Sequence, residues 1–238
     1  MIYELRRYHT GAGRMQDMDE MCGKWVPPIF QRLGVPQAIT AWHATSGPKL
    51  PAYWWLLAWP DLETRLRGWT AFYNDLEWLE VRRQFHLKSE LTLQSDFYLL
   101  STWPEFSSNV QQSFDLNAYP VQELWVQPIF LGQGKLAHTS FLQVDKPALE
   151  QAGARVIGVF DLIVGEKIPT FMIFLGWRDG ASRMAGIRRY QNDRTVLACR
   201  AEEHTKVGSD VFCISDRYLF EAASLLPSGQ DTSPQSLL

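Results

Sequence analysis

Four residues that can transfer a proton or stabilise a charge fall on predicted strands of this 238-residue sequence. His43 interrupts an apolar strand, and a histidine there suits proton transfer because its charge changes near neutral pH. Glu4 and Arg6 lie two residues apart on one face of the first strand, where burial would turn the carboxylate into a general base. Tyr98, in a later strand, could donate a hydrogen bond to a substrate oxygen. We predict that His43 moves a proton while the other three orient the substrate.

Each of these residues also has a purely structural interpretation. His43 could be an ordinary hydrogen-bonded or exposed strand residue, and Tyr98 a half-buried aromatic. Glu4 and Arg6 could form an ion pair that holds the strand in place. The sequence leaves these alternatives open.

Tryptophan is concentrated in the first half of the chain. Of the ten tryptophans, only Trp125 and Trp177 lie beyond residue 103. Small-molecule sites are usually apolar and aromatic clefts with a few polar groups. We therefore predict a pocket in the first half for an aromatic or otherwise apolar substrate, with a plain aromatic core as the alternative. The predicted lining residues are Trp42, Trp55, Trp69, Tyr8 and His9.

The familiar catalytic and nucleotide-binding motifs are absent from the sequence. It contains no GxxxxGKS/T loop, no GxGxxG after a strand, no HExxH and no GxSxG. The three cysteines lack metal-ligand spacing and suit a reducing compartment, so we predict no metal and no tightly bound cofactor.

Charge and hydropathy disfavour two further classes of partner. The net charge is −3 and no basic stripe is present, so we expect no nucleic-acid partner. No apolar run approaches the ~20 residues that span a bilayer, and the N-terminus lacks the apolar core of a signal peptide. We expect a soluble cytoplasmic protein that binds a small apolar molecule.

The segment 39–82 recurs 118 residues later without a gap, which indicates an internal duplication. Glu123 corresponds to Glu4 at an offset of 119 residues, one more than the offset of the segment 39–82. The residues that return in register include Gly47 and Gly165, Pro51 and Pro169, Trp59 and Trp177, Asp61 and Asp179, Arg65 and Arg183, and Gly68 and Gly186.

Hydrophobic periodicity predicts the element order strand, helix, strand, strand, helix, strand in each copy. This is the split βαβ, ferredoxin-like arrangement, with one sheet face left bare in each unit. Packing the two bare faces together predicts an α+β fold in which one chain forms a dimeric α/β barrel. The expected boundaries are residues 1–103 for the first unit, 104–119 for a polar linker, 120–223 for the second unit and 224–238 for a flexible tail.

The first half resembles the NIPSNAP family, and the second half resembles it weakly. The residues that carry the resemblance are Ile2-Tyr3-Glu4-Leu5-Arg6, Pro28-Ile29-Phe30, Trp42, Ser46-Gly47-Pro48, Ala58-Trp59-Pro60-Asp61-Leu62, Trp69, Phe72, Asp75, Glu77 and Trp78. The resemblance implies a dimeric α/β barrel, a superfamily that includes cofactor-free monooxygenases, cyclases, isomerases and lyases as well as haem-using members. It implies no settled reaction and no agreed catalytic residues.

Three functional hypotheses follow. The first is an enzyme that acts on an apolar or aromatic substrate, either by acid–base isomerisation, cyclisation or elimination or by cofactor-free oxygenation. The second is a non-catalytic scaffold that binds a small molecule or a protein. The third is a haem-binding variant in which His43, His86 or His138 would be the axial ligand. The sequence leaves open whether two chains pair as a homodimer.

Overall fold

The computed structural model describes residues 1–108 and 110–223, so the predicted tail at 224–238 lies outside the described residues. Eight strands form the centre of an α+β fold. The strands are β1 (Ile2–Thr10), β2 (Thr40–Ser46), β3 (Ala52–Trp59), β4 (Thr92–Thr102), β5 (Val121–Pro128), β6 (Arg155–Val164), β7 (Thr170–Trp177) and β8 (Asp216–Ala222).

Helices cover the outside of these strands. In the first half they are α1 (Met15–Glu20), α2 (Val26–Leu33), α3 (Leu62–Tyr73) and α4 (Leu76–His86), with a π-helical turn at Met21–Trp25. The connecting segment holds a 3₁₀ turn (Pro104–Phe106) and α5 (Val110–Ser113). In the second half they are α6 (Gly134–Ser140), α7 (Lys146–Gln151), α8 (Gly180–Gln191) and α9 (Arg194–Val207), with a π-helical turn at Phe141–Asp145.

The eight strands close into one antiparallel barrel in the order β1-β3-β2-β8-β5-β7-β6-β4. The pairs β2–β8 and β4–β6 join strands of the first half, β1 to β4, to strands of the second half, β5 to β8. Because both seams are hydrogen-bonded, the two halves share one continuous sheet, and each half keeps the predicted order of strands and long helices.

Alternation along β1 divides its side chains between two environments. Tyr3 and Leu5 point into the barrel, where they join a core that includes Trp42, Trp54 and Phe174. Glu4, Arg6 and Tyr8 point outward, toward the helices of the first half. The connecting segment also enters the barrel core, since Val110 and Phe114 are buried there.

The backbone repeats the duplication seen in the sequence. Asp61 and Asp179 cap α3 and α8 through their side chains, which accept the backbone N–H of Thr64 and Ser182. The π-helical turns of the two halves lie at matching places and each comes just before a proline-containing helix. In the first half the prolines are Pro27 and Pro28, which cannot donate a hydrogen bond to the preceding turn, and the regular α-helical pattern is interrupted there.

One helix was missed by periodicity. Helix α9 follows α8 directly and is capped by Asp193, in the same way that Asp75 caps α4. Its buried residues are Val196 and Glu203, so it shows little apolar periodicity. Within the described residues, no helix combines the length and the hydropathy that crossing a bilayer requires.

A candidate binding cavity between the sheet and the helices of the first half

A cavity of about 450 Å³ lies between the outer face of the first-half strands and helices α2, α3 and α4. Its wall is mostly aromatic and aliphatic, with a few polar groups, as is typical of small-molecule sites. The lining residues are Arg6, Tyr8, Met21, Cys22, Val26, Trp55, Phe72, Tyr73, Trp78, Leu79, Arg82, His86, Thr92 and Ser95.

Arg6 is the buried charge of this cavity, with its side chain 8% exposed. Its Nη1 donates to Glu4 at 3.2 Å and its Nη2 donates to the Tyr73 hydroxyl at 2.9 Å. The guanidinium also lies 4.2 Å from the centre of the Trp69 ring, which is a cation–π distance. Its Nε has no hydrogen-bond partner in the described part of the chain, so one buried donor is left for a ligand.

Glu4 contacts Arg6 on the side that faces away from the cavity and is fully buried. Its carboxylate accepts two hydrogen bonds of 2.9 Å from Arg65 and one of 2.9 Å from the indole of Trp69. The Trp59 indole donates a further bond of 2.9 Å. One carboxylate thus faces two guanidinium groups, and the cluster of Glu4, Arg6 and Arg65 carries a net charge of +1.

The remaining polar groups inside the cavity are neutral donors. Burial raises the pKa of the Tyr8 hydroxyl well above its usual value, and it does the same for the Cys22 thiol. The Cys22 sulfur lies 3.6 Å from the sulfur of Met18. Both groups therefore keep their protons at neutral pH; the Cys22 thiol donates to Met18, and the Tyr8 hydroxyl can donate to an oxygen of a ligand.

Two basic residues stand on α4 at the outer side of the cavity. His86 is the last residue of the helix, and its Nδ1 lies 2.7 Å from the exposed carboxylate of Glu90. Arg82 is exposed one turn earlier. No hydrogen bond or ion pair of Arg82 is formed within the described residues.

The predicted site residues do not form one site. Arg6, Tyr8 and Trp55 line the cavity, while Glu4 and Trp69 lie directly behind Arg6. Trp42, Tyr98 and His9 lie elsewhere, inside the barrel or at its end.

His43 lies outside the cavity. Its Nε2 is 2.7 Å from a carboxylate oxygen of Asp19, and its ring centre is 5.9 Å from that of Tyr53. The side chain is 23% exposed, which places this pair near the surface of the first half.

A second polar cluster lies at one end of the barrel, on the inner face of the sheet. Arg7 donates to Asp96 from Nε at 2.9 Å and to the hydroxyl of Tyr218 from Nη1 at 2.6 Å. The Nε2 of His9 also lies 2.9 Å from Asp96, and the Tyr98 ring is 5.8 Å from the Arg7 guanidinium. Sequence reasoning missed Arg7 and Asp96, although Asp96 lies in the segment Ser95–Leu99 that recurs as Ser215–Leu219.

The corresponding region of the second half is occupied by its own side chains. Trp125 stands where the first half has Arg6, and its ring centre is 5.6 Å from that of Tyr190. The Tyr190 hydroxyl donates to Asp145 at 2.7 Å. Asp145 in turn is bonded to Arg200, which also donates to Glu203 at 2.6 Å. An aromatic and ionic network thus replaces the cavity.

Comparison with known proteins identifies the first half. Residues 3–104 match the model of the NIPSNAP family. The aromatic cavity described above lies within the half of the chain that matches this family model. No curated protein sequence matches this chain.

Solved structures share the fold over almost the whole chain. A protein from Fusobacterium nucleatum, described as a "putative monooxygenase", is 9% identical with a TM-score of 0.54, covering 93% of this chain and 92% of its own. An anthrone oxidase-like protein is 14% identical with a TM-score of 0.53, covering 96% of both chains. A chlorite dismutase from Candidatus Nitrospira defluvii is 8% identical with a TM-score of 0.53, covering 94% and 92%. At these identities the likeness concerns the fold alone.

Two of the three histidines considered as haem ligands lie outside the cavity. His43 is bonded to Asp19 outside the cavity, and His138 lies against Trp103 in the second half, with ring centres 3.9 Å apart. His86 lines the outer edge of the cavity, and its Nδ1 lies beside an exposed carboxylate. No step is assigned to haem.

Proposed function

We propose that the cavity of the first half binds a small aromatic molecule with an acidic oxygen and transforms it by proton transfer. The observation that carries this proposal is the buried guanidinium of Arg6, which lies in an aromatic cavity with one donor unpaired. In a poorly solvated site, a fixed positive charge stabilises an anion far better than it does in water. A phenolate or enolate formed beside Arg6 would therefore be favoured.

The other lining groups suit the remaining steps. His86 is the residue type that accepts a proton near neutral pH, and its Nδ1 contact with Glu90 leaves Nε2 as the acceptor. Tyr8, whose pKa is raised by burial, would donate a hydrogen bond to the substrate oxygen. Glu4 acts as a positioning residue, because its carboxylate is fully engaged with Arg6, Arg65 and two indoles.

The role of His43 as the proton carrier stays a prediction. Its contact with Asp19 and its place outside the cavity favour His86 for this role. A role for Tyr98 likewise stays a prediction, since this residue faces the barrel interior.

Two outcomes are open to the anion once it has formed. It can be protonated at another atom, which gives an isomerisation, a cyclisation or an elimination. It can also react with dioxygen: a CH₂ group becomes a carbonyl, one oxygen atom enters the product and the other leaves as water. The fold shared with proteins described as a "putative monooxygenase" and as anthrone oxidase-like supports the second outcome by analogy.

The test measures binding and turnover with the full chain. 2-Naphthol is the binding probe, followed by quenching of tryptophan fluorescence, and anthrone is the substrate, followed by oxygen uptake. Arg6→Gln should weaken naphthol binding about 10-fold or more, since a hydrogen bond to a charged group contributes roughly 1.5–3 kcal/mol. Arg83→Gln is the matched control, because Arg83 is exposed and bonded to Glu80. A folded wild-type protein that binds no phenolic probe would overturn the proposal.

A non-catalytic binding function is the second candidate. It is favoured by the lining of the cavity, which in the described part of the chain contains no Asp or Glu and a single histidine, His86, as the candidate general base. Tight naphthol binding without turnover of any phenolic or enolic compound would support this alternative.

We also infer that each half is a ferredoxin-like unit and that the chain is an intrachain counterpart of a dimeric α/β barrel. The repeated order of strands and long helices and the matched caps of α3 and α8 support this interpretation. The closed eight-stranded barrel is consistent with it.

A further inference from the structure

Arg82 is a charged residue at the mouth of the cavity, and no carboxylate of residues 1–108 or 110–223 pairs with it. It lines the cavity from α4 and is exposed to solvent. Its neighbour Arg83 points elsewhere and forms two hydrogen bonds, of 2.7 and 2.8 Å, with Glu80. Within the described residues, Arg82 forms no such bond.

In the second half, the arginine at the equivalent position is paired with carboxylates of the protein itself. Arg200 is the equivalent of Arg82, and it binds Asp145, which is 3% exposed. It also donates to Glu203 at 2.6 Å and to the Ser140 hydroxyl at 2.8 Å. The second half thus supplies its own anion to this arginine.

The first half has lost the groups that would play this part. Trp25, the last residue of its π-helical turn, stands where the second half has Asp145. Phe85 stands where the second half has Glu203. With both carboxylates replaced by aromatic residues, the charge of Arg82 faces a cavity that has no acidic lining residue.

The cavity is therefore cationic at both ends and aromatic between them. Arg6 lies at the buried end, beside the sheet, and Arg82 lies at the exposed end, on α4. The rings of Trp55, Phe72 and Trp78 line the space that separates the two ends. A flat ligand with an acidic oxygen at one end and a carboxylate at the other would match this order of charges.

We propose that Arg82 binds a carboxylate of the substrate at the cavity mouth, and that the substrate class is hydroxylated aromatic carboxylic acids. The inference rests on the proposed function, since it assumes that the cavity holds the ligand. A guanidinium binds a carboxylate through two parallel N–H bonds, which fixes both its distance and its orientation. Arg82 is thus a specificity residue, whereas Arg6 faces the reacting part of the molecule.

The experiment compares two probes that share a ring system and a hydroxyl group. Binding of 2-naphthol and of 6-hydroxy-2-naphthoate to the full chain is measured by isothermal titration calorimetry. We expect the naphthoate to bind the wild type about 10-fold more tightly, which corresponds to about 1.4 kcal/mol. Arg82→Gln should remove this preference, and Arg82→Lys should keep part of it.

Arg83→Gln is the control, because it removes the same charge from the same helix but not from the cavity. It should keep the full preference for the naphthoate, which would show that the effect of Arg82→Gln comes from a local contact and not from the change in net charge. Melting temperatures of all variants verify that they are folded. The inference is overturned if the wild type binds both probes equally, or if Arg82→Gln retains the preference. In either case 2-naphthol binding leaves the proposed function standing. If neither probe binds the folded wild type, both proposals fail.

Discussion

Arg6 and Trp125 occupy the same position in the two halves of the barrel: Arg6 lies opposite Trp55 on the neighbouring strand, and Trp125 lies opposite Ile173. The exchange of a guanidinium for an indole changes the space beneath the helices. The first half keeps a cavity with a buried cation, and the second half packs Trp125 against Tyr190. The two copies of one architecture thus differ at the place where a ligand would bind.

The buried carboxylate of Glu4 should be more important for stability than its counterpart Glu123. Glu4 pairs with two arginines, whereas Glu123 pairs with Arg183 and with the indole of Trp125. We expect Glu4→Gln to lower the free energy of unfolding by roughly 3–5 kcal/mol, because it leaves two guanidinium groups without their partner. Glu123→Gln should cost less.

Urea unfolding followed by tryptophan fluorescence measures both variants. If Glu4→Gln proved no more destabilising than Glu123→Gln, Glu4 would not hold the charge cluster together in the way described.

The equivalent arginines of α4 and α9 should respond differently to the same substitution. Arg200→Gln leaves the buried carboxylate of Asp145 unpaired, and we expect a loss of roughly 2–4 kcal/mol in the free energy of unfolding. Arg82→Gln removes an exposed charge without a partner and should change stability by less than about 0.5 kcal/mol. Chemical denaturation of the two variants side by side provides the comparison, and equal effects would contradict the difference in their contacts.

The pH dependence of stability should reveal the polar cluster at the end of the barrel. Burial by itself would raise the pKa of Asp96, but hydrogen bonds from His9, Arg7 and Gln94 outweigh it and lower this pKa to about 2. A lowered carboxyl pKa stabilises the folded state above the unfolded pKa of roughly 4, and this stabilisation is lost as the pH falls toward the folded value.

Asp96→Asn should therefore be less stable than the wild type by roughly 1–2 kcal/mol at pH 6, and the difference should shrink between about pH 4 and pH 2. Urea unfolding at a series of pH values tests this. Asp161→Asn is the control, because Asp161 is an exposed strand carboxylate. A difference between Asp96→Asn and the wild type that stayed constant with pH would exclude the assigned ionisation.

A methyl group at Gly186 should be harmful although the residue lies in a helix. An added Cβ would lie 2.7 Å from the carbonyl oxygen of Ala152 and closer still to the Trp177 ring. Overpacking costs roughly 1–3 kcal/mol and the gain in helix propensity is about 1 kcal/mol, so we expect Gly186→Ala to destabilise the protein by up to about 2 kcal/mol. Gly180→Ala, where a Cβ meets no atom within 4 Å, should be neutral or stabilising. Thermal unfolding of the two variants decides the sign.

The repeat made the architecture predictable from the sequence. Gly68 and Gly186 return in register because each helix lies against the ring of a repeated tryptophan, Trp59 or Trp177. Asp61 and Asp179 return because each caps a helix. Each of these constraints involves residues that are close together in the sequence. The strand order and most of the helices can therefore be predicted from the repeat.

Features that depend on tertiary contacts could not be predicted in this way. Helix α9 buries Val196 and Glu203, too few apolar residues for a periodic signal. The segment 104–119 is polar in composition, as expected of a linker, but it places Val110 and Phe114 in the barrel core.

The candidate site was predictable in part. The two-residue spacing of Glu4 and Arg6 placed both on one strand face, and the ion pair given as the alternative interpretation is present. The prediction gathered Trp42, Tyr98 and His9 into the same pocket, although strand alternation and barrel closure send them to the other side of the sheet. Tyr73 and Arg82 reach the cavity only through the docking of α3 and α4, which no local pattern encodes.

The two seams that close the barrel, β2 with β8 and β4 with β6, link halves that are encoded in one polypeptide. In a barrel assembled from two identical chains, any substitution appears twice, so opening one cavity also opens the other. Fusion removes that symmetry constraint. One half of the chain can keep a buried cation beside a cavity, although such burial is destabilising. The other half can fill the corresponding space with packed side chains. The single chain thus allows specialisation that a symmetric pair could not reach.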